Sequence, residues 1–400
     1  MMQVVVPQAL IDRRSPVRLI VSGGGSGGHT FPAVTVIRAA RAALGGHGLE
    51  LQAFWVGSEG GIEQGIAADE GVPFTAIPTG KLRRARNPLA MLSAANVRDA
   101  GKVPAGVTEA IGVVRSIRPD AVLCTGGYVS VPVGLAARVC RRPLLVHEQT
   151  VRVGLANRIT MRGATRIALS AEPSLDLLPE RLRGRAVVTG NPLRPGLAHG
   201  DAASAPGKLG WAGWSRSLPT VYVTGGSLGS RQVNELVGAI LPDLLRYANV
   251  FHQAGGQLAE SAHALAETLP ADLRPRYMVR GFVGDELADL LALADVVVAR
   301  SGGGTISELT ALGKASVLIP LIPTGGDEQV RNGEHLAGRG AARVLIGEDA
   351  TPARLVEELG ALLHDPSGRA EMSAKALSMG RPEAAAALTS EVLAICAAAE

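Results

Sequence analysis

The chain has 400 residues, of which 46% are hydrophobic and 19% charged, and its mean hydropathy is +0.20. This composition supplies enough apolar material for buried cores and excludes an intrinsically disordered protein, while the length favours two domains. The three cysteines are too few and too scattered for a disulfide framework or a Cys-x-x-Cys metal site. No apolar run approaches the roughly 18 to 20 residues of a membrane-spanning helix, and the N-terminus lacks the pattern of a signal peptide. We therefore expect a protein that is neither secreted nor transmembrane.

The net charge of +4 hides an uneven division between the two halves of the chain. Residues 1–200 carry 24 lysines and arginines against 13 acidic residues, whereas residues 201–400 carry 16 against 23. The basic excess indicates that the first half faces an anionic partner, although an arginine content set by genome composition stays open. Because aromatic residues make up only 3% of the chain, we favour phosphates or a membrane surface and expect no nucleic acid.

Short β-branched runs alternate with longer Ala- and Leu-rich stretches along the whole chain. The runs are apolar throughout, which is typical of buried parallel strands with helices between them. The first series predicts strands at 17–22, 53–57, 121–125, 143–148, 166–170 and 186–190, and the second at 220–225, 250–255, 277–282, 295–300, 315–320 and 342–346. This pattern predicts a doubly wound α/β fold.

Each series opens in the same way, with a strand that runs into a glycine-rich loop and then a helix. Two Rossmann-like domains that face each other across a cleft are the simplest architecture for this repetition. We predict a first domain over residues 1–190 with a returning C-terminal helix at about 382–400, and a second domain over 216–381. Residues 191–215 are rich in Pro, Gly, Ala and Ser without a helical or strand period, and they are predicted to be the linker.

Three predicted strands end in glycine-rich loops, which cover residues 23–28, 225–230 and 301–304. Glycines after a strand let backbone N–H groups approach a phosphate, and the helix that follows adds its positive end. None of the loops matches the P-loop pattern, and no acidic residue follows the first loop as a dinucleotide site requires. The loops therefore predict a diphosphate ligand and disfavour ATP hydrolysis and NAD chemistry. No His, Cys, Asp or Glu cluster has metal-ligand spacing, so we expect no metal.

His29 follows the first loop, at a position where Pro32 is expected in the first turn of a helix. A helix N-terminus favours the neutral imidazole, which suits a general base near neutral pH. A capping or packing role for His29 stays open.

Two further side chains and one basic run are candidates for ligand contacts. Thr305–Glu308 fits a capping box, but the Glu308 carboxylate is also suited to accept the hydroxyls of a ribose. Arg194 offers a fork of donors for a diphosphate, with an ordinary surface arginine as the alternative. The run 81–86 is either a solvated face or a contact with acidic lipid headgroups.

The ordered set of motifs resembles the bacterial enzymes that add N-acetylglucosamine to the membrane-linked muramoyl-pentapeptide precursor of peptidoglycan. The matching stretches lie within about residues 17–340 and include GGGSGGHTFPA, SIRPDAVLCTGGYVSVPVGLAA, VHEQTVRVGLANR, VTGNPLRP, TGGSLGSRQVNE, GFVGDELADLLALADVVVARSGGGTISEL and DEQVRNG. The resemblance implies the B-type glycosyltransferase fold, with UDP-N-acetylglucosamine held mainly by the second domain. It also implies a lipid-linked muramoyl-pentapeptide diphosphate acceptor, no cofactor, and peripheral attachment of the first domain to the anionic cytoplasmic face of the cell membrane.

The resemblance carries roles to individual residues of this sequence. It places Ser26, Gly27 and Gly28 near the sugar and the diphosphate. It implies that Arg194 and Ser227 bind the phosphates and that Glu308 binds the ribose. It also assigns the uracil to the backbone of Val283, the α-phosphate to Gly303, Gly304, Thr305, Ile306 and Ser307, and sugar hydroxyls to Gln329. The chain departs from the family at Thr150, which replaces an asparagine, at Gly303 and Gly304, and at Glu328 beside Gln329. These departures bear on sugar specificity more than on the type of reaction.

The sequence therefore predicts an inverting, metal-independent transferase of UDP-N-acetylglucosamine in cell-wall synthesis, with His29 as the base and Glu148 as the next candidate. Three alternatives stay open: a related transferase with another lipid or small-molecule acceptor, a UDP-sugar epimerase, and a non-catalytic sugar-nucleotide-binding subunit. The Gly126–Tyr128 loop and the basic run 81–86 favour a second, lipid-linked substrate over the epimerase.

Overall fold

The computed structural model describes residues 2–13, 15–25, 27–80, 94–322 and 327–398, with the backbone alone for residues 94–100. The chain divides into two compact units. The first unit comprises Met1–Arg194, Pro323–Glu328 and Arg381–Glu400, and the second comprises Pro195–Ile322 and Gln329–Gly380. Within the described ranges, no helix is both long and apolar enough to cross a membrane.

The first unit is built on a parallel sheet of seven strands. They are β1 Val17–Gly23, β2 Leu51–Gly57, β3 Phe74–Ala76, β4 Ala121–Gly126, β5 Leu144–Glu148, β6 Arg166–Leu169 and β7 Ala186–Val188. Their spatial order is β3-β2-β1-β4-β5-β6-β7, and every neighbouring pair is parallel. Successive residues of a strand point to opposite faces of the sheet, so Leu19 and Val21 enter one core while Ile20 enters the other. Both faces are therefore buried, which explains why the strands are apolar throughout.

Helices cover both faces of this sheet. They are α1 Gln8–Ile11, α2 Gly27–Gly45, α3 Ile62–Asp69, α4 Ala94–Ile117, α5 Ser130–Val139, α6 Leu155–Thr160, α7 Pro173–Asp176 and α8 Glu180–Arg183. Helix α2 begins at Gly27, so Pro32 lies in its second turn and not, as predicted, in the first. The N-terminal segment also packs here, because the side chain of Leu10 is fully buried in the same core as Leu19.

The second unit repeats the design with six parallel strands. They are β8 Thr220–Thr224, β9 Asn249–Gln253, β10 Tyr277–Arg280, β11 Val296–Ala299, β12 Ala315–Leu318 and β13 Arg343–Val344, in the order β10-β9-β8-β11-β12-β13. Its helices are α9 Ala205–Leu209, α10 Arg231–Leu244, α11 Ala259–Glu267, α12 Leu287–Leu293, α13 Gly303–Ala311, α14 Glu328–Ala337, α15 Pro352–His364 and α16 Pro366–Met379. The last helix, α17 Ala384–Ala397, belongs to the first unit, where Leu388, Val392 and Leu393 are fully buried in the core.

The predicted fold class is confirmed, since both units are doubly wound parallel sheets and all twelve predicted strands are present. The sequence missed β3, a three-residue edge strand that is too short to show a pattern. The prediction of a linker at 191–215 needs correction, because the chain joins the second unit from Pro195 onward. Leu197, Leu209 and Trp211 are buried in the core of that unit. The Pro- and Gly-rich composition encodes tight turns and the short helix α9 within a packed segment.

In each sheet the order in which successive strands are added reverses once, between β1 and β4 in the first unit and between β8 and β11 in the second. In open α/β sheets, the loops at the carboxyl ends of strands diverge at such a switch point and leave a crevice for a ligand. The glycine-rich loops at 23–28, 225–230 and 301–304 all follow strands that flank a switch point. The fold therefore places the predicted loops where ligands of such sheets bind.

Candidate active site

The loop that follows β1 in the first unit is held by a buried carboxylate. Glu63, in the first turn of α3, accepts hydrogen bonds from the N–H of Ser58 at 3.0 Å, the hydroxyl of Ser58 at 2.6 Å and the N–H of Gly25 at 3.3 Å. A Cβ atom at Gly24 would overlap this carboxylate, so the close approach requires glycine. Ser26, a predicted site residue in this loop, lies outside the described residues.

The loop that follows β4 lies directly against the loop after β1. Gly126 and Gly127 both have positive φ, at 107° and 83°. A Cβ at Gly127 would overlap the backbone of Gly24, and the ring of Tyr128 lies 3.2 Å from where a Cβ of Gly25 would stand. The two loops at this switch point are thus packed backbone to backbone, which fixes the path of the chain into α2.

His29, in the first turn of α2, is half-buried and makes two contacts through one ring nitrogen. Its Nδ1 lies 2.9 Å from Oε1 of Gln149 and 3.2 Å from the carbonyl oxygen of Thr125. The carbonyl oxygen can only accept, so Nδ1 carries the proton and donates it. The neutral ring then has a lone pair on Nε2, which is the atom that a general base uses.

Glu148, the other candidate base, lies at the end of β5 and is 2% exposed. Its Oε1 accepts from the N–H of Thr150 at 3.1 Å. The hydroxyl of Thr150, which has a single proton, lies 2.8 Å from this oxygen and 2.7 Å from the carbonyl oxygen of Arg152. Its Oε2 accepts from the N–H of Gly154 and from Nδ2 of Asn157, both at 2.9 Å. Three N–H groups donate to the two oxygens and the Thr150 hydroxyl lies beside Oε1, so the buried carboxylate of Glu148 is held within its own turn rather than presented to a substrate. The hydroxyl of Thr150 is committed to this turn.

Arg194 lies beside the first turn of α2. Its guanidinium stands 5.7 Å from the centre of the Phe31 ring, within the range of a cation–π contact. Phe31 is two residues after His29, so the structure brings Arg194, Gly27, Gly28 and His29 to the same helix end. A cation at a helix N-terminus adds to the positive potential that the helix itself provides, and the combination favours an anion.

The second unit presents the loop after β8, which includes Ser227. Ser230 caps α10 by accepting a hydrogen bond from the N–H of Val233 at 3.2 Å. A Cβ at Gly225 would overlap the backbone nitrogen of Ser230, and Gly229 has a φ of 76° and lies against the carbonyl of Ala254. The loop therefore turns tightly into α10 and leaves Ser227 exposed at its tip.

The loop after β11 leads directly into α13, which begins at Gly303 with Gly302 as its N-cap. Thr305 is thus the third residue of the helix, and the predicted capping box, which needs Thr305 at the cap, is wrong. Gly303, Gly304 and Thr305 form the first turn, whose N–H groups are suited to bind a phosphate. Glu308 is half-buried in the second turn, on the same helix as Ile306 and Ser307. A Cβ at Gly304 would meet no atom within 4 Å, so glycine is not required there.

Val283 and Gln329, two predicted site residues, already form hydrogen bonds within the second unit. The N–H of Val283 donates to Oε1 of Gln253 at 3.2 Å, and the Nε2 of Gln253 donates to the carbonyl of Gly226 at 3.1 Å. Gln253 thereby ties the predicted uracil-binding segment to the loop after β8. The Oε1 of Gln329, at the start of α14, accepts from the N–H of Leu321 at 2.9 Å, and the hydroxyl of Ser301 donates to the carbonyl of Gln329 at 2.7 Å.

Arg300 is a buried cation at the end of β11 that the sequence analysis did not single out. Its Nη1 donates to Oε1 of Gln232 in the first turn of α10 at 2.9 Å and to the carbonyl of Ile319 at 3.1 Å. Burial lowers the pKa of Arg300. The partners found in the described part of the chain are neutral, so the guanidinium adds its full charge to the edge where α10 and α13 begin.

No group of three or more His, Cys, Asp or Glu side chains in the described ranges could hold a metal ion. The basic run 81–86 lies outside the described residues. Gln149, Glu63, Gln253 and Arg300 were missed by sequence reasoning because each acts through contacts with distant strands. A signal was present for Gln149, which directly follows a predicted strand, and for Arg300, which ends one, but Glu63 resembles any acidic residue in a first helical turn.

The glycosyltransferase family 28 N-terminal domain matches residues 19–169, and the glycosyltransferase family 28 C-terminal domain matches residues 220–388. The UDP-N-acetylglucosamine--N-acetylmuramyl-(pentapeptide) pyrophosphoryl-undecaprenol N-acetylglucosamine transferase of Treponema denticola is 33% identical over 357 residues, which cover 86% of this chain and 88% of the relative. The crystal structure of MurG from Acinetobacter baumannii is similar with a TM-score of 0.70 and 27% identity, covering 94% of this chain and 99% of that one. A putative UDP-N-acetylglucosamine 2-epimerase from Listeria monocytogenes shares the fold alone, with a TM-score of 0.59, 14% identity and 93% and 94% of the two chains covered. The family predicted from the motifs is confirmed.

Proposed function

Since this chain belongs to glycosyltransferase family 28, we propose that it transfers N-acetylglucosamine from UDP-N-acetylglucosamine to a lipid-linked muramyl-pentapeptide diphosphate. The observation that carries the proposal is the 33% identity to a transferase of that name over almost the whole of both chains. The epimerase alternative has only a likeness of fold behind it. The product would be the disaccharide-carrying lipid from which peptidoglycan is built.

The second unit is proposed to hold the donor nucleotide. The diphosphate would bind the N–H groups at the starts of α10 and α13, with Ser227 and the first turn Gly303–Thr305 as direct contacts. The Glu308 carboxylate, one turn further along α13, would accept the two ribose hydroxyls. The carbonyl of Val283 would meet the uracil, because the N–H of that residue is already used by Gln253. Gln329 would contact hydroxyls of the sugar through its side-chain nitrogen.

The first unit is proposed to supply the base. The unprotonated Nε2 of His29 would take the proton of the acceptor hydroxyl as its oxygen attacks the anomeric carbon of the sugar. The bond from the anomeric carbon to the diphosphate oxygen breaks at the same time, UDP leaves with the electron pair, and the configuration at the anomeric carbon inverts. The burial of the Glu148 carboxylate and its three N–H donors support His29 over Glu148 in this role.

Negative charge grows on the leaving diphosphate during this step. The proposed stabilisers are fixed donors: the first-turn N–H groups of the helices, Arg194, and the buried charge of Arg300. Loss of one such preorganised donor typically raises a reaction barrier by about 3 kcal/mol. Positive helix ends and two guanidinium groups would do what a divalent ion does in other transferases, so we expect activity without added metal.

The finer proposal concerns location. We propose that the protein acts at the cytoplasmic face of the cell membrane as a peripheral protein, because its acceptor is lipid-linked and residues 1–200 carry a basic excess of 24 against 13. Each basic residue near an acidic bilayer contributes about 1 kcal/mol, and salt screens this attraction. Co-sedimentation with liposomes should therefore require acidic lipid and weaken at high salt. Equal binding to neutral liposomes would contradict the electrostatic part of the proposal.

The transfer itself is tested by incubating the purified protein with UDP-N-acetylglucosamine, with and without the lipid-linked muramyl-pentapeptide acceptor, in the presence and absence of EDTA. We expect glycosylated lipid and UDP only when the acceptor is present, and equal rates with and without EDTA. UDP-N-acetylmannosamine formed in the absence of an acceptor would favour the epimerase. Transfer to other lipids but not to this acceptor would favour the alternative transferase.

A further inference from the structure

Three polar side chains of the first unit form a continuous chain of hydrogen bonds that ends at His29. The chain starts at the carbonyl of Gly190 after β7, passes through His147 on β5 and Gln149 after β5, and reaches Nδ1 of His29 on α2. His147 is completely buried and Gln149 is 3% exposed.

The direction of each hydrogen bond is set by backbone carbonyls, which can only accept. The Nε2 of His147 lies 3.1 Å from the carbonyl of Gly190, so Nε2 carries the proton of that ring. The Nδ1 of His147 therefore has a lone pair, and it lies 3.3 Å from Nε2 of Gln149. Burial lowers the pKa of His147 to about 4, which keeps its ring neutral and Nδ1 an acceptor at neutral pH.

The amide orientation of Gln149 follows from its neighbours. The oxygen and nitrogen of an amide have nearly the same shape, so the hydrogen-bond network must decide between them. The Nε2 of Gln149 donates to the carbonyl of Thr125 and faces the lone pair of His147, while Oε1 faces Nδ1 of His29 at 2.9 Å. The reversed amide would set its oxygen against the Thr125 carbonyl and against the lone pair of His147. Two repulsive contacts therefore exclude the reversed orientation.

We propose that Gln149 is a positioning residue that holds His29 in the tautomer with the proton on Nδ1. A neutral histidine in water favours the proton on Nε2, the tautomer that could not accept a proton at that atom. Gln149 and the Thr125 carbonyl reverse this preference by presenting two acceptors to Nδ1. His147 acts one step further back, because it fixes which end of the Gln149 amide faces His29.

The catalytic consequence rests on the proposed function, in which Nε2 of His29 takes the proton of the acceptor. The tautomer itself does not, since it depends only on Gln149, His147 and two backbone carbonyls. The two statements therefore fail separately, and the experiment needs one arm for each.

The first arm measures the tautomer by NMR of protein labelled with ¹⁵N-histidine, with the His29 signals assigned by their loss in His29→Ala. The wild type is expected to show a protonated Nδ1 and an unprotonated Nε2 on His29, and the reverse on His147. Gln149→Met, which keeps the length of the side chain but has no amide, removes the nearer acceptor of Nδ1 at 2.9 Å and leaves the Thr125 carbonyl at 3.2 Å, so the fraction of His29 in the Nε2–H form should rise. The matched control is Gln64→Met, at an exposed glutamine of α3 in the same unit.

The wild-type measurement needs no variant to fold, and a His29 that is protonated on Nε2 overturns the proposal directly. An unchanged tautomer in folded Gln149→Met overturns it as well.

The second arm compares kinetics of the transfer. Gln149→Met should lower kcat by about tenfold, less than the 10²–10⁴-fold that a general base contributes, with little change in the KM for UDP-N-acetylglucosamine. A raised donor KM with unchanged kcat would overturn the positioning role, whatever the tautomer. Wild-type protein without any transferase activity would contradict the proposed function, while the NMR arm would still decide the tautomer.

Discussion

The two switch points of this molecule have the same topology and use different chemistry. At the edge of β1 and β4, side chains carry the site: His29, Gln149 and His147 form a directed chain of hydrogen bonds, and Glu63 anchors the glycine loop. At the edge of β8 and β11, the backbone carries it, because the loops at 225–230 and 301–304 turn directly into α10 and α13. The first edge is suited to move a proton and the second to bind an anion.

The difference between a side-chain site at β1 and β4 and a backbone site at β8 and β11 predicts which substitutions each switch point should tolerate. A side-chain site loses its chemistry when one functional group is removed, while the fold survives. A backbone site loses binding when a Cβ displaces the chain, even though no functional group has changed. Variants at matched positions in the two units therefore separate the two kinds of site.

The largest effect is expected from His29→Ala. A base acts only in the transition state, so kcat should fall by about 10²–10⁴-fold while UDP binding is nearly unchanged. Steady-state kinetics and calorimetry with UDP check this, with His263→Ala, at an exposed histidine, as the control. A raised donor KM with a small loss in kcat would instead make His29 a phosphate ligand.

The matched change in the second unit is Gly225→Ala. The added Cβ would overlap the backbone nitrogen of Ser230, so the loop must move away from the start of α10. We expect UDP affinity to fall by about a hundredfold, which corresponds to roughly 3 kcal/mol. Gly207→Ala is the control, since a Cβ there meets no atom within 4 Å. Unchanged UDP affinity by calorimetry would contradict a backbone-built site.

Stability should fall in acid because each unit buries one neutral histidine. Burial lowers the pKa of His147 and of His252 to about 4, from the ordinary value of 6.5. Between these values the unfolded chain binds more protons than the folded one, so the free energy of unfolding decreases as the pH drops from 6.5 to 4. Each histidine should lower the free energy of unfolding by about 3 kcal/mol between pH 6.5 and pH 4, and it should have no effect above pH 6.5.

Urea unfolding at pH 7.5 and pH 5 measures this decrease. His147→Gln should reduce the pH dependence of the first unit and leave that of the second, where His252 bonds the Tyr277 hydroxyl at 2.8 Å. The same loss of pH dependence in His263→Gln, at an exposed position, would show that burial is not the cause.

The smallest effect is expected from Glu308→Gln, which removes a charge but keeps the shape of the side chain. Because α13 begins at Gly303, Glu308 does not cap the helix, and the loss expected on substitution is in UDP binding rather than in helix capping. The ribose hydroxyls would lose a charged acceptor, which should weaken UDP binding by about tenfold. The control is Glu348→Gln, at an exposed glutamate of the same unit. A lower melting temperature with unchanged UDP affinity would restore a capping role.

The fold was the more predictable part, because continuous apolar runs and glycine-rich loops leave a local pattern. That pattern failed for β3, a three-residue edge strand with two exposed residues, and for the segment around Trp211. Turn residues mark both linkers and tight packed segments, and only burial distinguishes them. The start of α13 was also misjudged, since glycine has low helix propensity and gave no sign that the helix begins at Gly303.

The position of His29 was predictable because it directly follows a glycine-rich loop after a strand, and the family was predictable from the motifs. The candidate site was not predictable for Gln149 and Gln253, whose partners are up to 120 residues away in sequence. No local pattern shows which strand will lie next to which. The roles of the predicted residues stay predictions until the variants are measured.

The sequence by itself determined two doubly wound units, their glycine-rich loops and the family, because hydrophobic period, turn chemistry and ordered motifs are local properties of the chain. Only the tertiary structure decided which atom of His29 is free to accept a proton and that Glu148 is buried and hydrogen-bonded within its own turn. Parallel pairing of β4 with β5 brings the Thr125 carbonyl and the Gln149 amide to the same edge. Carbonyl oxygens that can only accept then fix every proton in the chain of hydrogen bonds, and this constraint exists only once the sheet has formed.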